Sequence, residues 1–500
     1  MNQANDLELQ DSQPGDSVLV TGRAKAIDLL AHHHVDFDPE SAEAKRVRRK
    51  IDMRIMPMIF VVYCLQLMDK NSLSFAAIMG IKEDTNLSAS QYSWLGSIVY
   101  FGYLGGDIPA TFIMQRLPLD KFLSGMCMVW GIVVALHAVC HDFSSLAAVR
   151  FLLGAIEVVT VPIAIYITGA FYTKEEQVTR VAIWYTTSGW AAVFGGFFAW
   201  AIYHATNFRW QGLFVLYGAI TFVTGILLYF FLAASPVDAK WLTEEEKVIA
   251  LERVRSNKTG TEVWKFSWPQ LRESLLDVRL YLIFLMLVSS GLPNGGVTAF
   301  GPTIVAGFGY DVAETTLLNM GSGATQVVGT LLALVLAKYT SRTFAGVATL
   351  LLACVGCAMM LGIPSSDNNA RYGGYILMYQ FPICIVFIIT FLTGGVAGST
   401  KKFAFGCVYQ LGYAVGNIIG PQTYRERDAP EYYPAKYTML GFFIFTALLL
   451  TTYGVIHHTW NVKRERKELD SQHTDAHDSL ENEEFLDKTD FQIKSFKYPV

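Results

Sequence analysis

Twelve stretches of mainly apolar sequence, each close to twenty residues long, limit what this chain can fold into more than any other feature. A bilayer's hydrocarbon core is about 30 Å thick, and a helix needs roughly 20 residues to cross it. Six stretches lie near 54–79, 91–114, 122–140, 146–171, 180–203 and 212–234. Six more lie near 280–307, 314–337, 344–363, 373–398, 403–421 and 438–458. Backbone in hydrocarbon must satisfy its own hydrogen bonds, so segments of this length read as helices. The chain is therefore expected to be an all-α membrane protein with twelve transmembrane helices. Composition agrees: 52% of the residues are hydrophobic and only 16% charged, against roughly 25% charged in soluble domains. A net charge of -4 leaves no basic excess for nucleic acid, and none is expected as a partner. Seven cysteines are too few for a disulfide scaffold. All lie in apolar spans, Cys354 and Cys357 included, so neither a disulfide nor a redox motif is expected.

Charge is segregated along the chain. Twelve charged residues occur between Gln91 and Leu232, whereas fifteen crowd the much shorter run from Ala234 to Val278. The layout reads as a tail (1–53), a six-helix bundle (54–234), a linker (235–279), a second six-helix bundle (280–458) and a second tail (459–500). Six plus six suggests two bundles related by an axis along the membrane normal, although the repeat is one of hydropathy only. The first 50 residues contain no apolar signal segment. Lys45, Arg46, Arg48, Arg49, Lys50 and Arg54 precede the first span. Arg116, Lys121, Lys174, Arg180, Lys338, Arg342, Lys401 and Lys402 fall on the same side, while Arg425, Arg427 and Lys436 are exceptions on the other. Excess Lys and Arg marks the cytosolic side, so both tails and the linker are expected in the cytosol and the protein in the cell membrane.

Ionisable residues inside spans are costly and are functional candidates for that reason. Span 1 holds Asp69, Lys70 and Asn71, with Gln66 one turn earlier and in reach of both charges. Span 4 holds Arg150, Gly154 and Glu157 on one face. Arg150 and Glu157 lie about 10 Å apart along the axis, too far to pair, so each needs a partner on another helix, and span 1 offers opposite charges to both. A carboxylate in a low-dielectric cavity can exchange protons near neutral pH, which suits Asp69 and Glu157 to proton coupling. Lys70 and Arg150 suit a substrate carboxylate, Arg with bidentate geometry. The competing reading is a charge network that locks spans 1 and 4 together.

The second half offers neutral polar groups instead. Gln410, Tyr413 and Asn417 form a stripe on span 11, Tyr379 and Gln380 lie on span 10, and Thr325 and Gln326 on span 8. Asn294 sits in a Gly/Pro-interrupted stretch, Ser289 to Gly296, expected to break span 7 where backbone lines a cavity or to act as a hinge. Each of these groups serves substrate contact or helix–helix hydrogen bonding equally well. Asn86-Leu87-Ser88 is a glycosylation sequon on the outer side, close to the membrane, and Asn257-Lys258-Thr259 is one on the cytosolic side. His32, His33 and His34 form a run in a polar tail, where solvation explains them without a metal. The chain has no Walker loop, so transport driven directly by ATP is not expected. Nor do the spans contain a metal cluster or nucleophile constellation, so neither enzymatic activity nor a cofactor is expected.

Leu67-Met68-Asp69-Lys70-Asn71-Ser72-Leu73-Ser74-Phe75-Ala76-Ala77 resembles the first helix of the fungal allantoate permease branch of the major facilitator superfamily, within its anion:cation symporter family. Gln91-Tyr92-Ser93-Trp94-Leu95-Gly96-Ser97-Ile98, Gln115-Arg116-Leu117-Pro118-Leu119-Asp120-Lys121 and Arg150-Phe151-Leu152-Leu153-Gly154-Ala155-Ile156-Glu157 extend the resemblance. So do Phe171-Tyr172-Thr173-Lys174-Glu175-Glu176-Gln177 and Gly416-Asn417-Ile418-Ile419-Gly420-Pro421-Gln422. Together they cover most of residues 50–460. The resemblance implies the major facilitator fold, alternating access and a site between the halves. It maps the family's acidic–basic pair onto Asp69 and Lys70, its helix 4 Arg and acid onto Arg150 and Glu157, and its helix 11 Asn onto Asn417. Gln115 to Lys121 takes the place of the usual Gly-rich inner loop, so Arg116 and Lys121, together with Asp107 in span 2, are expected to gate the inner face. Departures are Lys70 where the wider family usually has Arg, Ile163 after Pro162, and the segment Gly394 to Lys402, which lacks the family's frequent Asn and His.

What the resemblance implies for function is proton-coupled symport of a small organic anion by a monomer. Allantoate, ureidosuccinate, or a pyridine carboxylate such as nicotinate are the candidates. A major facilitator exporter of metabolites or drugs, and a nutrient sensor with a transporter fold, are the alternatives.

Overall fold

The computed structural model describes residues 41–114, 116–205, 209–255, 267–471, 488–493 and 496–499. His32, His33, His34, Gln115 and the Asn257 sequon lie outside the described residues. The first half contains α1 (Ala42–Ile78), α2 (Ala89–Met114), α3 (Leu119–Leu136), α4 (Phe143–Glu157 and Thr160–Phe171), α5 (Lys174–Tyr185 and Thr187–Ala205) and α6 (Arg209–Phe231). The second half contains α7 (Val278–Ala306), α8 (Val312–Tyr339), α9 (Arg342–Gly362), α10 (Asn368–Met378 and Ile383–Gly395), α11 (Ser399–Ile419) and α12 (Tyr433–Ser471). Two shorter helices, Glu244–Arg255 and Trp268–Leu276, lie between the halves in sequence.

Ten of these helices are long and apolar enough to cross a membrane. α2 and the longer part of α5 fall short because glycine, tyrosine and small polar residues dilute them. Those residues sit at close helix crossings. Gly154 of α4 shows why: a Cβ there would lie 1.9 Å from the Val99 carbonyl oxygen of α2. Backbone cannot yield as a side chain tip does, so Gly154→Ala is expected to force α2 and α4 apart and destabilise the protein by about 3 kcal/mol. Gly125→Ala, with nothing within 4 Å of the added carbon, is the neutral control in the same thermal-unfolding measurement.

Within the first half α3 packs on α6, α2 on α4, and α1 on both α5 and α6. Within the second half α9 packs on α12, and α7 on both α11 and α12. The α3–α6, α1–α5 and α1–α6 pairs thus recur six places on as α9–α12, α7–α11 and α7–α12, as a two-fold axis along the membrane normal requires, whereas α2–α4 has only a weak counterpart in α8–α10. The halves meet along α5 and α8, α2 and α11, and α1 and α7. Near the face opposite the start of α1, hydrogen bonds join them: Tyr92 Oη donates to the Ala299 carbonyl at 2.6 Å and Ser97 Oγ to that of Ile418 at 2.7 Å.

Two helix breaks differ from expectation. The Ser289 to Gly296 stretch does not interrupt α7, which is continuous with Pro293 and Pro302 inside it. Its glycines serve packing instead: a Cβ on Gly295 would lie 2.5 Å from the Asn417 carbonyl oxygen of α11. The interruptions fall in α4 and α10, each shortly before a proline, and in α5 at Thr186, where no proline is near. A proline ring opposes the carbonyl four residues back, which is Val158 for Pro162 and Met378 for Pro382, where those helices part.

At the same face as the Tyr92 contact, Glu431 bridges the buried Arg371 of α10 and Lys436 of α12, the latter at 3.3 Å. Burial pushes the Glu431 carboxyl up, but Arg371 and Lys436 outweigh it and hold it below its ordinary range. A depressed carboxylate contributes stability that is full above its ordinary value and lost as pH falls through its lowered one. Glu431→Ala leaves two buried cations unpaired and is expected to cost about 3 kcal/mol at neutral pH. In thermal unfolding, the gap between variant and unaltered chain should close on acidification below the carboxylate range.

Candidate functional site

The break in α4 after Glu157 leaves the carbonyls of that helix end without intrahelical partners. Gln66 of α1 supplies one, its Nε2 donating to the Glu157 carbonyl at 3.3 Å. The same amide donates to Tyr103 Oη of α2 at 2.6 Å. Gln66 therefore ties α1 to α2 and α4, rather than reaching Asp69 and Lys70 as its spacing suggests. Lys70 Nζ approaches Glu157 Oε2 at 3.8 Å and Tyr103 Oη at 3.4 Å, and lies 4.7 Å from the centroid of the Tyr103 ring. The Glu157 side chain is fully buried, and that of Lys70 is 10% exposed. Span 1 thus does offer Glu157 its opposite charge.

Asp69 turns the other way, as adjacent residues on a helix must. It is buried, with the Trp130 indole as its neighbouring donor but no close hydrogen bond to either carboxylate oxygen among the described residues. Arg150 of α4 is equally buried, with Nε and Nη2 likewise unpartnered and its guanidinium carbon 6.0 Å from the Phe214 ring centroid. Asp69 feels the charges of both Arg150 and Glu157. Two acids and two bases are therefore enclosed in one bundle, one pair in contact and the other near but not hydrogen-bonded.

Tyr103 joins this set to a small cavity between α2 and α11, lined by Tyr100, Tyr103, Leu104, Asp107, Gln410, Tyr413 and Ala414. Gln410 and Tyr413 thus face the same space as Asp107. Asn417, also buried, is committed elsewhere: its Oδ1 accepts from Asn294 Nδ2 of α7 at 2.8 Å, and its Nδ2 donates to the Tyr413 carbonyl at 2.7 Å. It stitches the α7–α11 seam. Asn71 of α1 is half-buried. Tyr379 and Gln380 occupy the break in α10, where Tyr379 packs on Tyr375 and Gln380 Nε2 donates to the Ile376 carbonyl at 3.1 Å. Arg116 is exposed, and Lys121 donates to the Tyr229 carbonyl at the end of α6, so the three residues expected to gate are not gathered at one point. Asn86 is exposed between α1 and α2 with a φ of 49°, a conformation asparagine tolerates.

Sequence reasoning missed the tyrosines. Tyr63 of α1, Tyr185 of α5 and Tyr409 of α11 are mutually close, and Tyr100 meets Tyr413 edge-on at 6.2 Å. The signal was present in the i, i+3 spacing of Tyr100 and Tyr103 and the i, i+4 spacing of Tyr409 and Tyr413. Each pair puts two rings on one helix face.

Charged groups enclosed in one membrane-spanning bundle, beside a cavity shared with the other, fit a transporter. The Major Facilitator Superfamily profile matches residues 59–421. The allantoate permease of Saccharomyces cerevisiae is 32% identical over 98% of this chain and 92% of its own length. An uncharacterized transporter of Schizosaccharomyces pombe is 32% identical over 95% of this chain and 94% of its own. Among solved structures, a bacterial homologue of the human lysosomal transporter Spinster superposes with a TM-score of 0.60 at 16% identity, over 81% of this chain and 96% of that one. The chain belongs to the major facilitator superfamily, in its fungal allantoate permease-like branch. It is a multi-pass membrane protein that transports a small molecule.

Proposed function

We propose that the protein is a proton-coupled symporter of a small organic anion, allantoate- or ureidosuccinate-like or a pyridine carboxylate such as nicotinate. The observation that carries the reading is the enclosed set of two acids and two bases, with Lys70 against Glu157 and two Arg150 nitrogens unpartnered. Unpaired charge inside a membrane is costly. Protonating Glu157 or Asp69 releases a cation, and a substrate carboxylate then compensates it. Proton and anion therefore favour each other's binding, which is what symport requires. Gln410, Tyr413 and Asn71, with the neighbouring tyrosines, offer neutral donors to the rest of the substrate, and Tyr379 and Gln380 contribute from the broken α10. Asn417 acts by holding α7 to α11. The bundles of 54–234 and 280–458 rock about the site, Asp107, Arg116 and Lys121 lie towards the inner gate, and the unit is a monomer.

The face at which α1 begins is cytosolic on this reading, with both termini inside and the protein in the cell membrane. The concentration of Lys and Arg there supports it. The allantoate permease relative supports an organic anion; a 27% identical relative is a high affinity cysteine transporter of Saccharomyces cerevisiae. The test is uptake into proteoliposomes under an inside-alkaline gradient with labelled allantoate, ureidosuccinate, nicotinate and a cationic control. Gradient-dependent uptake of one anion is the expected result. No uptake of any anion by folded protein would turn the assignment to an exporter of other chemistry or to a sensor.

A further inference from the structure

Five charged side chains meet where α7 and α11 begin. Arg279 Nη2 lies 2.6 Å from Asp277 Oδ2 and 2.5 Å from Asp490 Oδ2. Lys401 Nζ lies 2.8 Å from Glu273 Oε1, 3.0 Å from Asp490 Oδ1 and 3.1 Å from Asp277 Oδ2. The side chains of Arg279, Lys401, Asp277 and Asp490 are all 0% exposed. Asp490 comes from beyond α12, 211 residues after Arg279. Without it, two buried cations face one buried anion, with Glu273 at the rim, an imbalance a protein interior does not tolerate.

The rest of the segment is held in the manner of a bound peptide. Arg464 of α12 donates to the Asp490 carbonyl at 2.7 Å and to that of Phe496 at 2.6 Å. Asn461 pairs in both directions with the Tyr498 backbone, each bond 2.9 Å. The Phe491 ring covers Lys401, whose Nζ is 3.7 Å from the ring centroid, a cation–π contact. Thr489 Oγ1 donates to Glu273 Oε2 at 3.0 Å, and the Asp490 carboxylate accepts from the Ala397 amide in the α10–α11 connection at 3.4 Å. One short segment thus touches α7, α11, α12 and the helix Trp268–Leu276.

We propose that this basic, aromatic-walled seat is a peptide-binding site for an acidic–aromatic segment, filled in cis by residues 488–493 and 496–499, and that its occupancy neutralises the two cations at the starts of α7 and α11. An aspartate aimed between two cations gives specificity, and captured main-chain carbonyls give affinity, as in other peptide-recognition sites. When the segment leaves, the Ala397 amide in the α10–α11 connection loses its bond to Asp490, and the two cations are uncovered at the face where α1 begins.

Full-length protein in detergent tests this without any transport assay, so its outcome is separate from that of the symport reading. Asp490→Lys places a third cation in the seat. Amide hydrogen exchange of 488–493 and 496–499 is expected to rise at least tenfold in this variant, while α3 and α6 exchange as before. A labelled peptide of residues 486–500 should bind the variant at least tenfold more tightly than the unaltered chain, whose seat is filled. Unchanged exchange, or equal peptide binding by the two chains, overturns the proposal. Should Asp490→Lys not fold, Asp490→Asn removes only the segment's charge, leaves every residue of the seat in place, and must give the same two changes in the same direction.

Discussion

Glu157→Gln is expected to lose accumulation against a gradient while keeping substrate binding and exchange. Glutamine matches glutamate in shape but cannot ionise. Lys70, 3.8 Å from the Glu157 carboxylate, then stands permanently without its anionic partner, as it would beside a protonated acid. Substrate still finds a free cation, but no proton need travel with it. One proton carried per monovalent anion lets a one-unit pH gradient sustain about tenfold accumulation. The unaltered protein should reach that ratio in proteoliposomes, and the variant should stop at equal concentrations inside and out. Binding to the unaltered protein should weaken as pH rises, because deprotonated Glu157 reclaims Lys70; binding to the variant should be flat. Tenfold accumulation by the variant would move coupling to Asp69. Loss of binding together with coupling would place Glu157 in the substrate site or in the scaffold.

Arg150→Ala is expected to weaken anion binding about a thousandfold at every pH. Charge-assisted hydrogen bonds contribute roughly 1.5–3 kcal/mol each, and a bidentate carboxylate uses two, so about 4 kcal/mol is lost. Arg150 has the geometry for this: it is buried, and two of its nitrogens are unpartnered. Arg150→Lys keeps the charge that balances Asp69 and loses only the planar fork. It should fold normally and bind about tenfold more weakly than the unaltered chain. Isothermal titration or scintillation-proximity binding reads both variants. Normal affinity in a folded Arg150→Ala protein would remove Arg150 from the site and leave Lys70 as the anion's only cation.

The candidate site was legible in its charges and illegible in its directions. Asp69, Lys70, Arg150 and Glu157 stand out because ionisable groups are rare in apolar spans. Their pairing was half readable: Lys70 meets Glu157, whereas Asp69 and Arg150 lie near each other without a hydrogen bond. Gln66 shows the limit of local spacing. It is within reach of two charges on its own helix, yet it bonds Tyr103 and the Glu157 carbonyl. A helix end with unpaired carbonyls, created by Pro162 downstream, offered it a better partner. For Asn417 the sequence left substrate contact and helix–helix bonding even, and the structure binds it to Asn294.

The sequence by itself determined that this chain spans a membrane many times in two bundles, and which charges lie within the first of them. Hydropathy over twenty residues is a local property, and the cost of charge in hydrocarbon makes every exception visible. Proline sets where the breaks in α4 and α10 fall, because the lost hydrogen bond lies four residues back, but Pro293 and Pro302 sit inside an unbroken α7, so which prolines break a helix was decided by packing. Only the tertiary structure decided that the glycines of α7 bring α11 close instead of breaking the helix. It alone gathered tyrosines from α1, α2, α5 and α11, and it brought Asp490 between Arg279 and Lys401 across 211 residues of sequence separation. These outcomes depend on helix rotation and on which backbone approaches which, and both are set by the packing of neighbouring helices rather than by the order of residues along one of them.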